Sequence, residues 1–303
     1  MKLNRFTKAI SIVLALVLVT VLVVSTVSCE RKEKASEKIG VVVTILPQAE
    51  FVRSVGGERV EVSVMVPPGA NVHIYEPTPS QMAALSRAEM YAKVGSGIEF
   101  ELVWMDKLVA VNRRMLIIDC SKGVELQEMV AEFEDEGEHK HGVMDPHIWM
   151  SPLNAQIMVR NICHGLIQVD PDNETYYQRN RDAYLQQLSE LDQDIRDGLS
   201  GLTRRKFMVY HPAFGYFARE YNLTMIPIEE EGKEPTAAGL AHLIEQAKEH
   251  DIRVIFAEPQ FNPQSAEVIA EAISGRVVFI NPLAENYIAN MRSLLGELVQ
   301  TME

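Results

Sequence analysis

The sequence predicts an α/β protein of two lobes, each with a mainly parallel sheet flanked by helices, joined by one long rigid helix. Three observations predict it. From residue 39 short apolar runs of strand type alternate with helical patterns, residues 174–199 form one uninterrupted amphipathic stretch, and beyond residue 206 the alternation resumes. At 303 residues the chain is too long for one small domain, and its 47% apolar content is enough for a core in each lobe.

The first 28 residues carry Lys2, Arg5 and Lys8 and no acid, followed by an almost unbroken apolar stretch and then the small residues Ser25, Thr26 and Ser28. That is the layout of a secretory signal. Cys29 follows directly, where a bacterial lipoprotein has its lipid-modified first residue, although Thr26 stands where that signal usually has an aliphatic. The apolar run is also close to spanning length, so an uncleaved N-terminal anchor is the alternative. Residues 29–38 are highly charged and read as a lipidated, solvated tether. Both readings put the folded part outside the cytoplasm and hold it at a membrane, on the outer face of the cytoplasmic membrane or in a periplasm.

Within the first lobe, residues 39–170, strands are expected at 41–44, 60–66, 90–94 and 115–118, with helices that include 79–87, 100–111 and 152–169. The linking helix lies in 171–200. Tyr177, Tyr184, Leu188, Leu191 and Ile195 recur along it at three-, four- or seven-residue spacing, and Asp172 or Asn173 can cap it. Some 26 helical residues reach roughly 40 Å, the length of a whole small domain, which suits a strut. The second lobe, residues 201–303, has strands expected at 207–210, 225–228, 254–257 and 277–280 and helices at 213–221, 236–250, 264–274 and 285–301.

The charge excludes one class of partner. Without residues 1–28 the formal charge goes from −13 to −16. Nucleic acid is therefore not a partner, because its binding rests on basic groups that neutralise phosphates. Beyond Cys29 only Cys120 and Cys163 remain, both in apolar settings, and they read as free buried thiols rather than a disulfide. No Cys-x-x-Cys pair exists for a thiolate metal or redox site.

Of eight histidines, three share one kind of position, soon after a strand or at a proline-bearing turn: His73, His147 in Asp-Pro-His-Ile-Trp-Met-Ser-Pro, and His211 in Val-Tyr-His-Pro-Ala-Phe-Gly-Tyr. Ligands of open α/β sheets bind at the carboxyl ends of strands. Nearby proline fixes the backbone that must aim an imidazole. Neutral imidazole is a favoured zinc donor, and three of them plus a fourth ligand complete a tetrahedron. His164, His242 and His250 lie on helices, His242 and His250 in polar company and His164 beside Cys163, with no metal role expected.

The runs Gly-Ala-Asn-Val-His-Ile-Tyr-Glu-Pro-Thr-Pro-Ser, Asp-Pro-His-Ile-Trp-Met-Ser-Pro, His-Pro-Ala-Phe-Gly-Tyr and Ile-Phe-Ala-Glu-Pro-Gln-Phe resemble those of the zinc and manganese binding proteins of ABC importers, the ZnuA/TroA-like family. The resemblance runs from Ile39 to the C-terminus. It implies two lobes joined by one long helix, a metal ion carried as cargo in the cleft, and delivery to a membrane permease by a monomeric receptor that is not an enzyme. It implies His73, His147 and His211 as metal ligands. Manganese-selective relatives tend to carry Glu at the third position, so His211 points to zinc, in keeping with the preference of imidazole for zinc over manganese.

One departure stands out. The family's fourth ligand is usually an Asp in Asp-Pro-Leu after the last strand, and here the residue is Asn281. An amide oxygen is a weaker donor than a carboxylate, so Asn281 is expected to bind weakly or through water, with Glu258, directly after a strand, as a substitute. The stretch 132–145 resembles the acidic, histidine-bearing loop of zinc-type members, with His139 and His141, and reads either as a metal-gathering loop or as a solvated one. Tyr75, Glu76 and Asp145 are candidates to fix an imidazole's tautomer. The competing readings are a manganese or iron receptor of the same fold, a surface adhesin, and a zinc hydrolase. Against the hydrolase, the chain has no His-Glu-x-x-His helix and no Gly-x-Ser-x-Gly elbow. A single stiff helix between lobes further implies modest movement on metal binding.

Overall fold

A computed structural model describes residues 38–129, 144–229 and 232–302. The signal, Cys29, all but the last residue of the tether, and His139 and His141 of the acidic loop lie outside the described residues.

The first sheet is built from β1 (Ile39–Val43), β2 (Val60–Val64), β3 (Met90–Lys93) and β4 (Leu116–Asp119), all parallel, in the order β2-β1-β3-β4. Its helices are α1 (Leu46–Gly56), α2 (Pro79–Leu85), α3 (Glu99–Val111) and α4 (Pro152–Val169). The long helix α5 (Glu174–Ser200) follows. The second sheet consists of β5 (Lys206–Val209), β6 (Thr224–Pro227), β7 (Val254–Ala257) and β8 (Arg276–Phe279), again all parallel and in the equivalent order β6-β5-β7-β8. It is flanked by α6 (Gly215–Glu220), α7 (Ala237–Glu249), α8 (Gln264–Ala272) and α9 (Tyr287–Met302). In both sheets the strand order reverses between the two central strands, and the crevice beyond their carboxyl ends is where such sheets take ligands.

Local sequence explains most element starts. Thr78 and Gln81 form a reciprocal capping box on α2 with Pro79 in the first turn, and Ser151 and Thr236 cap α4 and α7. The expected side-chain cap on α5 is not made. Asn173 occupies the position, but its Nδ2 donates back to both carboxylate oxygens of Asp170, at 2.8 and 2.9 Å, which also accepts from Tyr177. Helix α1 is not among the helices expected: only Thr44 separates the apolar run of β1 from Ile45 and Leu46, so periodicity cannot separate the two.

Tyr177, Tyr184, Leu188, Leu191, Ile195 and Leu199 bury one stripe of α5, which packs along α1 and α4 on one side and α9 on the other. One continuous apolar core follows from this. It runs from Val42, Phe51 and Trp149 through Leu188 and Ile195 to Phe214, Phe256, Tyr287 and Met291. A smaller core, with Met208, Ile226, Ile255, Leu243 and Ile269, fills the other face of the second sheet. Polar ties cross between lobes as well. Trp149 Nε1 donates to the Pro282 carbonyl at 2.8 Å, Tyr287 Oη donates to the Trp149 carbonyl at 2.8 Å, and the Tyr287 amide donates to Glu50 at 2.6 Å. Cys120 and Cys163 are buried free thiols, as expected. Among the described residues no helix is long and apolar enough to cross a membrane.

Candidate metal centre

Each of the three histidines is delivered by a different irregular segment. His73 lies in the loop after β2, its amide donating to Asn71 Oδ1 at 2.9 Å. His147 precedes a short 3-10 turn (Ile148–Met150), and its amide donates to Asp145 Oδ1 at 2.9 Å. His211 leaves β5, where the Tyr210 amide still donates to Phe256 of β7 at 2.8 Å and the His211 amide donates to Glu258 Oε2 at 3.1 Å.

The rings meet. Nε2 of His211 lies 3.2 Å from Nε2 of His73 and 3.1 Å from Nε2 of His147. All three nitrogens fall within 4.8 Å of one another, and among the described residues this is the one group of His, Cys, Asp and Glu arranged to hold a metal ion. Phe261 stacks on His211 with ring centroids 4.8 Å apart, and Trp149 packs edgewise on His147 at 5.3 Å. The cavity they line holds about 20 Å³, room for one ion or one water.

Behind the rings stand three carboxylates. Nδ1 of His73 is 2.8 Å from Glu99 Oε2, Nδ1 of His147 is 2.8 Å from Asp145 Oδ1, and Nδ1 of His211 is 2.5 Å from Glu229 Oε1. An ionised carboxylate only accepts, so wherever the carboxyl is ionised such a contact places the ring proton on Nδ1 and turns the Nε2 lone pair toward the other two. Burial, followed by repulsion from His147 and His73, holds the His211 imidazole well below the usual histidine range and so favours the neutral donor form. Burial pushes the Glu229 carboxyl up to about 7. Burial also pushes Glu99 upward, but its hydrogen bond to His73 and the charge of that ring outweigh this and leave it below the ordinary value.

Asn281 does not line this cavity. Its Oδ1 accepts from the Leu283 amide at 3.0 Å and from Gln260 Nε2 at 2.8 Å. Glu258 is fully buried, with Oε2 on the His211 amide, Oε1 without a partner, and a carboxyl that burial pushes well above the ordinary range. Of the three residues suggested to orient imidazoles, Asp145 does so. Tyr75 donates to Gln81 instead, and Glu76 makes no hydrogen bond to these histidines. His164 lies against Gln168, and His250 against Lys206. Glu99 and Glu229 were not foreseen. The usable signal was position, since Glu229 follows β6 just as Glu258 follows β7.

Gly215 in His-Pro-Ala-Phe-Gly-Tyr has a steric reason. A Cβ there would sit 2.4 Å from Asp145 Oδ2, so only glycine lets α6 approach the carboxylate that braces His147.

The periplasmic family of zinc-uptake complex component A matches residues 41–301. The chain belongs to that family. It is the extracytoplasmic solute-binding component of a metal uptake system and not an enzyme. The high-affinity zinc uptake system protein ZnuA of Bacillus subtilis is 31% identical over 262 residues, covering 83% of this chain and 80% of its own length. The zinc-binding lipoprotein AdcA of Streptococcus pneumoniae is 28% identical over 308 residues, and the chain spans only 61% of AdcA's length. A crystal structure of ZnuA superposes with a TM-score of 0.83 at 40% identity, covering 88% of this chain and all of that one.

Proposed function

We propose that His73, His147 and His211 of this ZnuA-family chain bind a zinc ion through Nε2 and that the ion is cargo, handed to the permease of an ABC importer. One observation carries the reading: three Nε2 atoms converge while all three Nδ1 atoms are held by carboxylates. Donors about 2.0–2.1 Å from a tetrahedral zinc lie roughly 3.3–3.4 Å apart, and the two closest nitrogen pairs are 3.1 and 3.2 Å apart. Three lone pairs aimed at one another repel unless a cation lies between them. The three carboxylates offset its charge through the rings, and the nitrogen-rich donor set favours zinc over manganese.

Glu258 supports the site by holding the His211 backbone, and Asn281 supports it through Gln260. The lobes 39–170 and 201–303 both furnish ligands, with helix 171–200 keeping their spacing. Anchoring by a lipid on Cys29, and action as a monomer, belong to the same proposal.

The test is competitive titration of residues 38–303 with zinc and manganese, beside His211→Ala. Zinc is expected to bind one to one, far more tightly than manganese, and to lose most of its affinity in the variant. Equal or tighter binding of manganese would replace zinc as the cargo, and wild-type affinity in His211→Ala would refute the site.

A further inference from the structure

One residue that lines the histidine cavity carries a polar atom without a partner. Gln260, three residues beyond the end of β7, lines the cavity beside His73, His147 and His211. Its Oε1 is closed off from solvent and has no hydrogen-bond partner. A buried acceptor without a donor is costly and uncommon, and it calls for an explanation.

The orientation of this amide follows from its neighbours. The Leu283 amide donates to Asn281 Oδ1 at 3.0 Å, which identifies that atom as the oxygen. The same oxygen can receive only a donor from Gln260, so the atom at 2.8 Å is Nε2. Asn281 is not part of the cavity lining, so Nε2 is committed outside the cavity and Oε1 is the amide atom left for it. The loop that fixes Asn281 is itself held, because the Asn281 carbonyl accepts from Asn290 at 2.8 Å and the Pro282 carbonyl accepts from Trp149 at 2.8 Å.

Resting on the histidine reading above, we propose that Gln260 Oε1 is the fourth donor to the zinc ion and that Asn281 is a positioning residue that aims it. The competing side chain is Glu258. One of its oxygens is taken by the His211 amide, and its carboxylate does not join the group of atoms that gathers with the histidine nitrogens. A neutral amide completes a set of three nitrogens and one oxygen without adding charge beside rings already backed by Glu99, Asp145 and Glu229.

The experiment uses zinc and cobalt(II) on residues 38–303, with Gln260→Leu, Gln260→Glu, Asn281→Ala and the Gln260→Leu/Asn281→Ala double variant. Gln260→Leu is expected to keep one-to-one zinc binding at about 10–100-fold lower affinity and to change the visible spectrum of bound cobalt as a water replaces the amide. Gln260→Glu, which keeps an oxygen but loses the Nε2 donor held by Asn281, binds more tightly than Gln260→Leu. Asn281→Ala weakens binding less than Gln260→Leu and adds nothing in the double variant, because both act through one atom. Unchanged zinc affinity and an unchanged cobalt spectrum in Gln260→Leu would overturn the proposal, as would Gln260→Glu binding more weakly than Gln260→Leu. Failure of the histidine reading looks different: the wild type then binds no zinc one to one, or His211→Ala binds as well as the wild type.

Discussion

The deep and shallow sides of the metal cavity hold their histidines differently. The side chains of His147 and Asp145 are 3% and 1% exposed, and those of His211 and Glu229 are 8% and 3% exposed. His73 and Glu99 are 20% and 47% exposed. Their chemistry differs too, since Glu99 is held below the ordinary carboxylate range by His73 while burial lifts Glu229 to about 7. The deep pairs are closed to solvent. The shallow pair is open to solvent, so in the proposed site His73 is the histidine that water displaces most readily.

The largest expected effect breaks the deep side. His147→Ala and His211→Ala each lower zinc affinity by roughly 10²–10³-fold, about a quarter of the ~10–16 kcal/mol that a four-ligand zinc site provides. His73→Ala loses less, because water can enter from the open side. Competitive chelator titration checks this ranking, and equal losses at all three positions would erase the distinction. Next come the braces. Asp145→Asn and Glu229→Gln are expected to cost about 10–100-fold, with Glu99→Gln at or below the low end of that range. Gly215→Ala should resemble Asp145→Asn, since its methyl displaces that carboxylate.

Trp149→Phe tests whether the deep side is fixed by the inter-lobe tie. It leaves the buried Pro282 carbonyl without its donor, so the apo unfolding temperature should drop by about 2–6 °C, measured by calorimetry. The smallest effect is a proton count. Apo Glu229 keeps its proton up to about pH 7, whereas the Nδ1–H of a zinc-bound His211 favours the ionised carboxylate. Zinc binding should therefore release up to about one proton at pH 6, fading above pH 8 as the apo group ionises unaided. Calorimetry in buffers of different ionisation enthalpy reads this release, and Glu229→Gln should abolish it, while Glu99→Gln should not, because Glu99 is already ionised.

Much of this was legible in the chain. Strand and helix alternation foretold two parallel sheets because each short apolar run is bounded by turns. The buried stripe of α5 was visible in its spacing. The three histidines were legible because each stands soon after a strand or at a proline-bearing turn. What stayed hidden depends on how distant segments meet. Glu99 reaches His73 from the start of α3, and Glu229 reaches His211 from the end of β6, and neither neighbourhood exists until the strand order is known. The pairing of Gln260 with Asn281 is of the same kind, since the two follow adjacent strands, β7 and β8, at positions with no local periodicity.

The continuous apolar core has a consequence for unloading. Prising the lobes apart would wet that core, and at about 25 cal/mol per Å² each 100 Å² exposed costs roughly 2.5 kcal/mol. Spontaneous breathing is therefore a costly route of escape, and in the proposed site loosening the exposed His73 loop is the cheaper one. A transporter that unloads this receptor gains most by pulling on that one loop, leaving the welded body of the protein as it was.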